Sequence, residues 1–358
     1  MKALILEDRK KLSLQDIPAP RPRAGEVLVR VKACGICGSD IRYYMGDNPW
    51  SLHTLGFNKT NPSNMLLGHE MTGIVESAPA AGSDLKRGDR VTVLAYKGCG
   101  KCRYCLQGRE NICAFQEHLG HGTGWENLDY NPGGMAEYCT VWSDNVYRLP
   151  DGVSFDEGVL FDGAAVGIHA VKRSGLREGD CVLIYGCGPI GLIMLQLAKL
   201  GGASRVICVD IQKKARETAE MLGADLVLGE SGRQEGLEGL RDKLPEHGVD
   251  IILDSVGEAA LIENLPLFLD RGGTLVCLAV EDHPIRFNPL ALAGERTVTI
   301  SANNPYDDFP AAIRLRAEGK IRLEPIVTHR FPLDRGVEAF RFALDKGASE
   351  ALKIVINP

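Results

Sequence analysis

The alternation of apolar and polar residues changes rhythm near residue 160. Before it, short β-branched runs recur between glycines, prolines and aspartates, as in EVLVRVKA (26–33), RVTVLAY (90–96) and AEYCTVW (136–142). Such runs, bounded by turn residues, predict an antiparallel, barrel-like β domain. Beyond it strand and helix patterns take turns. CVLIYG (181–186) predicts a buried strand, PIGLIMLQLAKLG (189–201) an apolar helix, RVICVD (205–210) the next strand and QKKARETAEMLG (212–223) a helix closed by Gly223. VDIILDSVG (249–257) and GTLVCLAV (273–280) continue the series. Near-continuous apolar strands between helices predict a parallel sheet covered on both faces. The tail differs again, with a helix from 308, an extended PIVTHRFPL (325–333), a further helix and the strand LKIVI (352–356). The expected organisation is a β-rich domain over 1–160, an α/β domain over 161–298, and a segment over 299–358 that completes the first.

Composition narrows the class without naming a chemistry. A chain of 358 residues exceeds one ordinary domain, which fits the two lobes. The formal net charge of -6 gives no electrostatic reason for a nucleic-acid or membrane partner. The opening MKALILEDRKKLSLQDIP lacks the long apolar stretch of a secretion signal, and no window reaches the run of about 18 apolar residues of a membrane helix. A cytoplasmic location is expected. Eleven cysteines in such a chain point to thiols and metal rather than disulfides.

Three motifs carry chemistry. GCGPIG places Gly186, Gly188 and Gly191 between a strand and a helix, with Asp210 closing the following strand. That context is the dinucleotide fingerprint: Gly186 for the tight turn, Gly188 for approach of the pyrophosphate, Gly191 for helix–strand packing, and the helix N-terminus at Pro189 and Ile190 for the phosphates. Asp210 would accept from the ribose hydroxyls and repel a 2′-phosphate, which favours NAD; Lys213 and Lys214 pull the other way. The second motif, CGKCRYCLQGRENIC, spaces Cys99, Cys102, Cys105 and Cys113 as C-x2-C-x2-C-x7-C. Four thiolates in one loop can close a tetrahedral zinc site with no open position, a structural role. An iron–sulfur cluster also takes four cysteines, but its Cys-Pro ending is missing. The third, Gly68-His69-Glu70, gains meaning only beside CGICGSD (34–40).

In order and approximate spacing, GICGSD, GHE, GDRV, the four-cysteine loop, GGMAEY, FDGAAVGIHA and GCGPIG resemble a zinc-dependent medium-chain alcohol dehydrogenase of the polyol (sorbitol) and threonine dehydrogenase type. The resemblance covers almost the whole chain. It implies a GroES-like catalytic domain and a Rossmann doubly wound cofactor domain, two zincs per chain, NAD, a small hydroxylated substrate and a homo-oligomer, the tetramer ahead of the dimer. It also implies that Cys37, His69, Glu70 and Asp162 surround the catalytic zinc, with Asp162 where classical relatives use cysteine. Asp40 would orient the ligating histidine, Ser39 would pass the alcohol proton, and Tyr43 would contact substrate. His169, in GIHA, reads as a packed histidine.

The chain departs from that pattern at Arg42, where many relatives carry a relay histidine. A guanidinium stays protonated and cannot act as a base. The stretch from residue 44 to 67 also exceeds what polyol relatives carry there, and it reads as a long loop of functional weight, with Trp50, His53 and Phe57 as candidates for lining the pocket or for an oligomer contact. Cys34, Cys139, Cys181, Cys187, Cys208 and Cys277 read as packing residues. The leading expectation is NAD-linked oxidation of a secondary alcohol in a polyol, sugar or cyclitol. The alternatives are oxidation of a β-hydroxy amino acid such as threonine, and a non-catalytic protein built around the zinc loop.

Overall fold

The structure is a computed structural model that describes residues 1–62, 64–77, 84–121, 128–229, 239–279, 284–345 and 350–358. It divides into two units: Met1–Asp162 with Pro305–Ala317 and Val327–Pro358, and Gly163–Asn304 with Glu318–Ile326.

The first unit is built on a seven-stranded sheet whose long central strand, Glu26–Gly35, pairs antiparallel with Glu70–Val75, Tyr138–Trp142 and the C-terminal strand Lys353–Asn357. Arg90–Val93 and Val146–Arg148 extend one side and Val327–Pro332 the other. Alternate residues of the central strand, Val27, Val29 and Val31, are buried in one core with Met71, Val91, Val141 and Ile356. That alternation is the period-two pattern legible in the sequence. A smaller sheet joins Lys11–Asp16, Lys2–Asp8 and Met65–Leu66.

Register matters most at one end of the central strand. Gly35 pairs with Glu70 on one neighbour and with Val355 on the other. Cys37, Glu70 and Lys353, remote in sequence, are thereby delivered to the same end of the sheet.

The stretch from 44 to 67 is not the structureless loop expected from its length. It carries the helix Pro49–Leu55, with Asn48 accepting from the Ser51 amide, proline in the first turn, and Gly56 closing it in the left-handed region at φ 80. Cap, proline and terminal glycine were all readable as helix signals in NPWSLHTLG. A short apolar pattern had hidden them. Of this stretch only Ser63 lies outside the described residues.

Among the described residues the second unit holds six strands, all parallel, in the order Leu226–Leu228, Arg205–Val209, Cys181–Tyr185, Val249–Asp254, Leu269–Cys277, Thr297–Ile300. Residues 318–326 of the tail belong with it. Their attachment is a reciprocal amide pairing on the helix Pro189–Leu200: Gln196 Nε2 donates to the Arg322 carbonyl at 3.0 Å, and the Arg322 amide donates to Gln196 Oε1 at 2.7 Å. No periodicity in the tail announces such a contact, so the sequence-based division of the last sixty residues follows a simpler line. Among the described residues no helix is long and apolar enough to cross a membrane.

Candidate metal centres and dinucleotide loop

Cys37 ends the turn after the central strand and caps the helix Gly38–Met45. The helix starts there because Asp40, at its third position, accepts the Cys37 amide on Oδ2 at 2.8 Å, completing a capping arrangement. The other oxygen of Asp40 accepts the Gly68 amide at 3.0 Å. One fully buried carboxylate therefore ties the Cys37 turn to the turn that presents His69 and Glu70. Asp40 Oδ1 lies 3.8 Å from His69 Nδ1, beyond hydrogen-bond length, so its hold on the histidine is exerted through backbone.

The ligand atoms of Cys37, His69 and Glu70 lie within 4.8 Å of one another. Gly35 makes this possible, because a Cβ there would overlap Glu70 Oε2. Glu70 is also gripped by the buried Lys353 ammonium at 2.6 and 2.8 Å, which donates in addition to the Ile36 carbonyl at 3.1 Å. Asp162, in the first turn of the helix Phe161–Ser174, is not part of the three-residue group. It is close enough for its carboxyl to sense His69, Glu70, Lys353 and Asp40.

The electrostatics favour a cation. Four acidic side chains, those of Cys37, Asp40, Glu70 and Asp162, face one ammonium in a buried place. Burial pushes the Asp162 carboxyl up to about 6, and it raises Asp40 as well. Burial alone would lower His69, yet Cys37 and Asp40 carry it well above its ordinary value. Lys353 is likewise raised against the opposing effect of burial, chiefly by Glu70. The raised His69 is a ligand whose proton a divalent ion would displace, and a Cys, His and carboxylate donor set suits zinc. The residues fit the metal.

The second cluster is local. Cys99, Cys102, Cys105 and Cys113 bring their sulfurs together in one loop, with the Cys102 and Cys105 sulfurs 3.5 Å apart. Amides at 99, 105 and 115 donate to these sulfurs. Four thiols so gathered, with backbone donors aimed at them, fit a closed zinc site. All eleven cysteines are free thiols; the unassigned ones are buried apart from Cys181, which is partly exposed.

Three residues escaped the sequence reading. Lys353 was detectable as the one charged residue opening an otherwise apolar strand, a position that requires a buried partner. His118 and His121 follow the cysteine loop in EHLGHG. Their rings stack at 3.8 Å with planes 7° apart, and both reach the His69 ring, at 5.5 and 4.8 Å. His118 Nδ1 lies 2.7 Å from the Leu119 carbonyl, which can only accept, so that nitrogen carries the proton. Burial, then His69, pushes His118 down to about 3; burial, then His118, holds His121 well below the usual histidine range. Both are neutral imidazoles. Of the remaining expected residues, Ser39 lies in the first turn after Cys37 with its Oγ buried and unpartnered among the described residues. Tyr43 is wholly buried, its ring 5.0 Å from that of His121 and its hydroxyl donating to Asn48 Oδ1 at 3.3 Å. Arg42 engages Asp47 at 3.4 Å. His169 lies half-buried in the helix Phe161–Ser174.

In the second unit Gly186 adopts φ 91 after its strand, Gly188 caps the helix Pro189–Leu200, and a Cβ on Gly191 would overlap the Gly186 carbonyl. A Cβ at Gly188 would meet nothing within 4 Å, the open approach a pyrophosphate needs. Ile190, partly buried, follows in the first turn. Asp210 braces the loop, accepting the Cys187 amide on Oδ2 and the Gln212 amide on Oδ1, both at 2.7 Å. Lys213 pairs with Glu217 at 3.6 Å, and Lys214 accompanies it in the first turn of Lys213–Met221. These residues fit a nicotinamide dinucleotide.

A β-rich unit carrying two metal-capable clusters, followed by a parallel-sheet unit with a glycine-rich phosphate loop, defines a metal-dependent dehydrogenase. Comparison with known proteins gives the family. Residues 23–151 match the alcohol dehydrogenase GroES-like domain and residues 189–318 the zinc-binding dehydrogenase family. A sorbitol dehydrogenase of Macaca fascicularis is 33% identical over 374 residues, covering 99% of this chain and 96% of its own. An alcohol dehydrogenase of Geobacillus stearothermophilus is 34% identical, with 90% of each chain covered. The crystal structure of a putative zinc-binding dehydrogenase from Sinorhizobium meliloti, bound to NADP, superposes with a TM-score of 0.86 at 30% identity, covering 100% of this chain and 99% of the other. The chain belongs to the zinc-dependent medium-chain alcohol dehydrogenase superfamily, polyol type, and is an oxidoreductase of alcohols that uses zinc and a nicotinamide cofactor.

Proposed function

We propose that the protein oxidises a secondary alcohol of a polyol, sugar or cyclitol with NAD, holding one zinc at Cys37, His69 and Glu70 and a second at Cys99, Cys102, Cys105 and Cys113. The observation that carries this reading is the convergence of a thiol, an imidazole and a carboxylate within 4.8 Å in a chain of this family. Asp162 completes the surround as a nearby carboxylate, in the manner expected of polyol-type members. An oxygen donor in place of sulfur makes the site harder, which suits a hydroxylated substrate.

When bound, zinc supplies a Lewis acid that acidifies the substrate hydroxyl, and the dinucleotide supplies the hydride acceptor. The chain's own residues do the rest. Asp40 fixes the Cys37 and Gly68 turns, so two metal-holding elements cannot drift apart. Lys353 holds Glu70 in place and offsets its charge. Ser39 Oγ, buried without a partner among the described residues, takes the departing hydroxyl proton. Arg42 stays protonated and cannot carry that proton onward.

Asp210 supports NAD, since its carboxylate sits beside the phosphate loop where a 2′-phosphate would meet like charge. The NADP-bound relative marks the opposite preference as the one to test against. A homotetramer in the cytoplasm completes the reading; the sheet-edge strand Thr297–Ile300, with Ile300 exposed, supports self-association.

The test is reduction of NAD and of NADP, followed at the nicotinamide absorbance, over a panel of polyols, aldoses, inositols, simple secondary alcohols and L-threonine. Turnover of a polyol or cyclitol with NAD is expected. Turnover confined to L-threonine, or to NADP, overturns the substrate or the cofactor half of the reading.

A further inference from the structure

The phosphate loop begins with the buried peptide unit between Gly186 and Cys187, and side chains from two neighbouring strands hold that unit at both ends. Its amide, on Cys187, donates to Asp210 Oδ2 at 2.7 Å. Its carbonyl, on Gly186, accepts the Ser255 hydroxyl at 3.0 Å. The same hydroxyl lies 3.4 Å from the Tyr185 carbonyl, but it has one proton and the Gly186 oxygen is nearer. Asp210 follows the strand Arg205–Val209 and Ser255 follows Val249–Asp254. These two strands flank Cys181–Tyr185, from which the loop departs.

Ser255 is itself placed by a buried turn. Its amide donates to the Tyr185 carbonyl at 2.9 Å. Asp254, wholly buried, accepts the Val256 amide at 3.0 Å and the Gly257 amide at 3.1 Å. Gly257 lies against Ala279, whose backbone a Cβ would overlap. On the loop side, a Cβ at Gly186 would lie 2.6 Å from Ser255 Oγ and 2.8 Å from Val256 Cγ2. The turn after the strand is therefore fixed on its own account, and it presents a hydroxyl to the phosphate loop.

We propose that Ser255 is a positioning residue for the dinucleotide: with Asp210 it clamps the Gly186–Cys187 peptide, and so fixes the turn that leads into Gly188 and the helix N-terminus. Such a clamp has a physical purpose. Gly186 sits at φ 91, and glycine populates both signs of φ, so the peptide beside it is a soft point of the loop. A loop free to reorient must be ordered when the pyrophosphate arrives, and that ordering is subtracted from affinity. Holding the peptide at its carbonyl and its amide completes the ordering during folding. The pyrophosphate is common to NAD and NADP, so the role is independent of which cofactor is preferred and of which alcohol is oxidised.

The test is fluorescence titration of NADH and of NADPH into the zinc-loaded wild type and into Ser255→Ala, Ser255→Cys and Ser255→Thr. Cysteine keeps nearly the volume of serine with a weak donor, whereas threonine keeps the hydroxyl. Alanine and cysteine should raise the Kd of the better-bound dinucleotide about tenfold, as expected when a buried carbonyl loses its donor, and threonine should stay within about threefold of the wild type. In turnover the loss should fall on KM for the cofactor more than on kcat. A hydroxyl that served stability alone would lower Tm and leave the Kd of the folded protein unmoved. The cysteine and threonine variants keep the comparison intact if the alanine variant does not fold. Equal affinities in those two variants, or a Kd within about twofold of the wild type in all three, overturn the proposal. A wild type that binds neither dinucleotide overturns the assignment of the loop, and this inference with it.

Discussion

The two metal-capable clusters use overlapping chemistry on opposite scales of chain. Cys99 to Cys113 lie in a single loop, and their geometry is set by local turns and by amides a few residues away. Cys37, His69, Glu70 and Lys353 come from three separate strands or turns and converge because Gly35 pairs with both Glu70 and Val355. The local cluster contains only thiols, and among the described residues no ammonium or imidazole joins its ligand group. The other mixes four acidic groups with a buried lysine and a histidine whose proton they hold. A closed set of like ligands can only hold shape. A mixed set, assembled by the sheet and charged unevenly, can also do chemistry, and it depends on the whole fold.

That contrast can be broken most severely at Cys37. Cys37→Ala should remove one zinc by metal analysis, leave the cysteine-loop zinc in place, and lower alcohol turnover on the order of a thousandfold or more. Retention of both zincs would show that the two clusters are not separate centres. Lys353→Met comes next. It strands the Glu70 carboxylate in a buried place and should cost about 3–5 kcal/mol in urea denaturation, with Lys353→Arg recovering much of it. The loss should shrink when Glu70→Gln is added, because the two side chains act as a pair.

The register-assembled cluster should also carry a pH signature that the cysteine loop lacks. In zinc-stripped protein the Asp162 carboxyl titrates near 6 rather than at its ordinary 3.8, because of burial. Its folded-state pKa is raised, so the folded chain binds the extra proton between those values and stability falls as pH rises from about 4 through 6. The change is on the order of 2 kcal/mol. His69, also raised, contributes in the same direction above its unfolded value of 6.5. Zinc displaces these protons, so the gain in Tm on adding zinc should grow between pH 5 and pH 8. Asp162→Asn should flatten the lower limb of that slope; an unchanged slope would remove Asp162 from the site. The smallest effect on catalysis is expected at Cys105→Ser. One zinc should be lost and the protein should unfold at lower temperature, while turnover of the folded fraction stays within roughly an order of magnitude of the parent.

Much of this was legible before any coordinates. Alternating valines in 26–31 named a half-buried strand, and near-continuous apolar runs from 181 onward named a parallel sheet, because side-chain periodicity records which faces meet the core. The cysteine loop and the GCGPIG turn were legible for the same reason that they are local: spacing of a few residues fixes distance. Cys37, His69 and Glu70 were found only through resemblance, since nothing in their spacing places them together. The helix Pro49–Leu55 was readable from its caps but masked by its shortness.

By itself the sequence determined the element types, the local thiol cluster, the phosphate loop and the inability of Arg42 to relay a proton, all consequences of short-range geometry or intrinsic chemistry. Tertiary structure alone decided that Lys353 grips Glu70 from 283 residues away, that Asp40 works through backbone amides, that Gln196 claims Arg322 for the second unit, and that the stacked rings of His118 and His121 sit beside His69. The physical reason is common to all four. Strand register and side-chain packing set these contacts between residues that no local rule relates, and a one-residue slip in the pairing of Gly35 would undo the first of them.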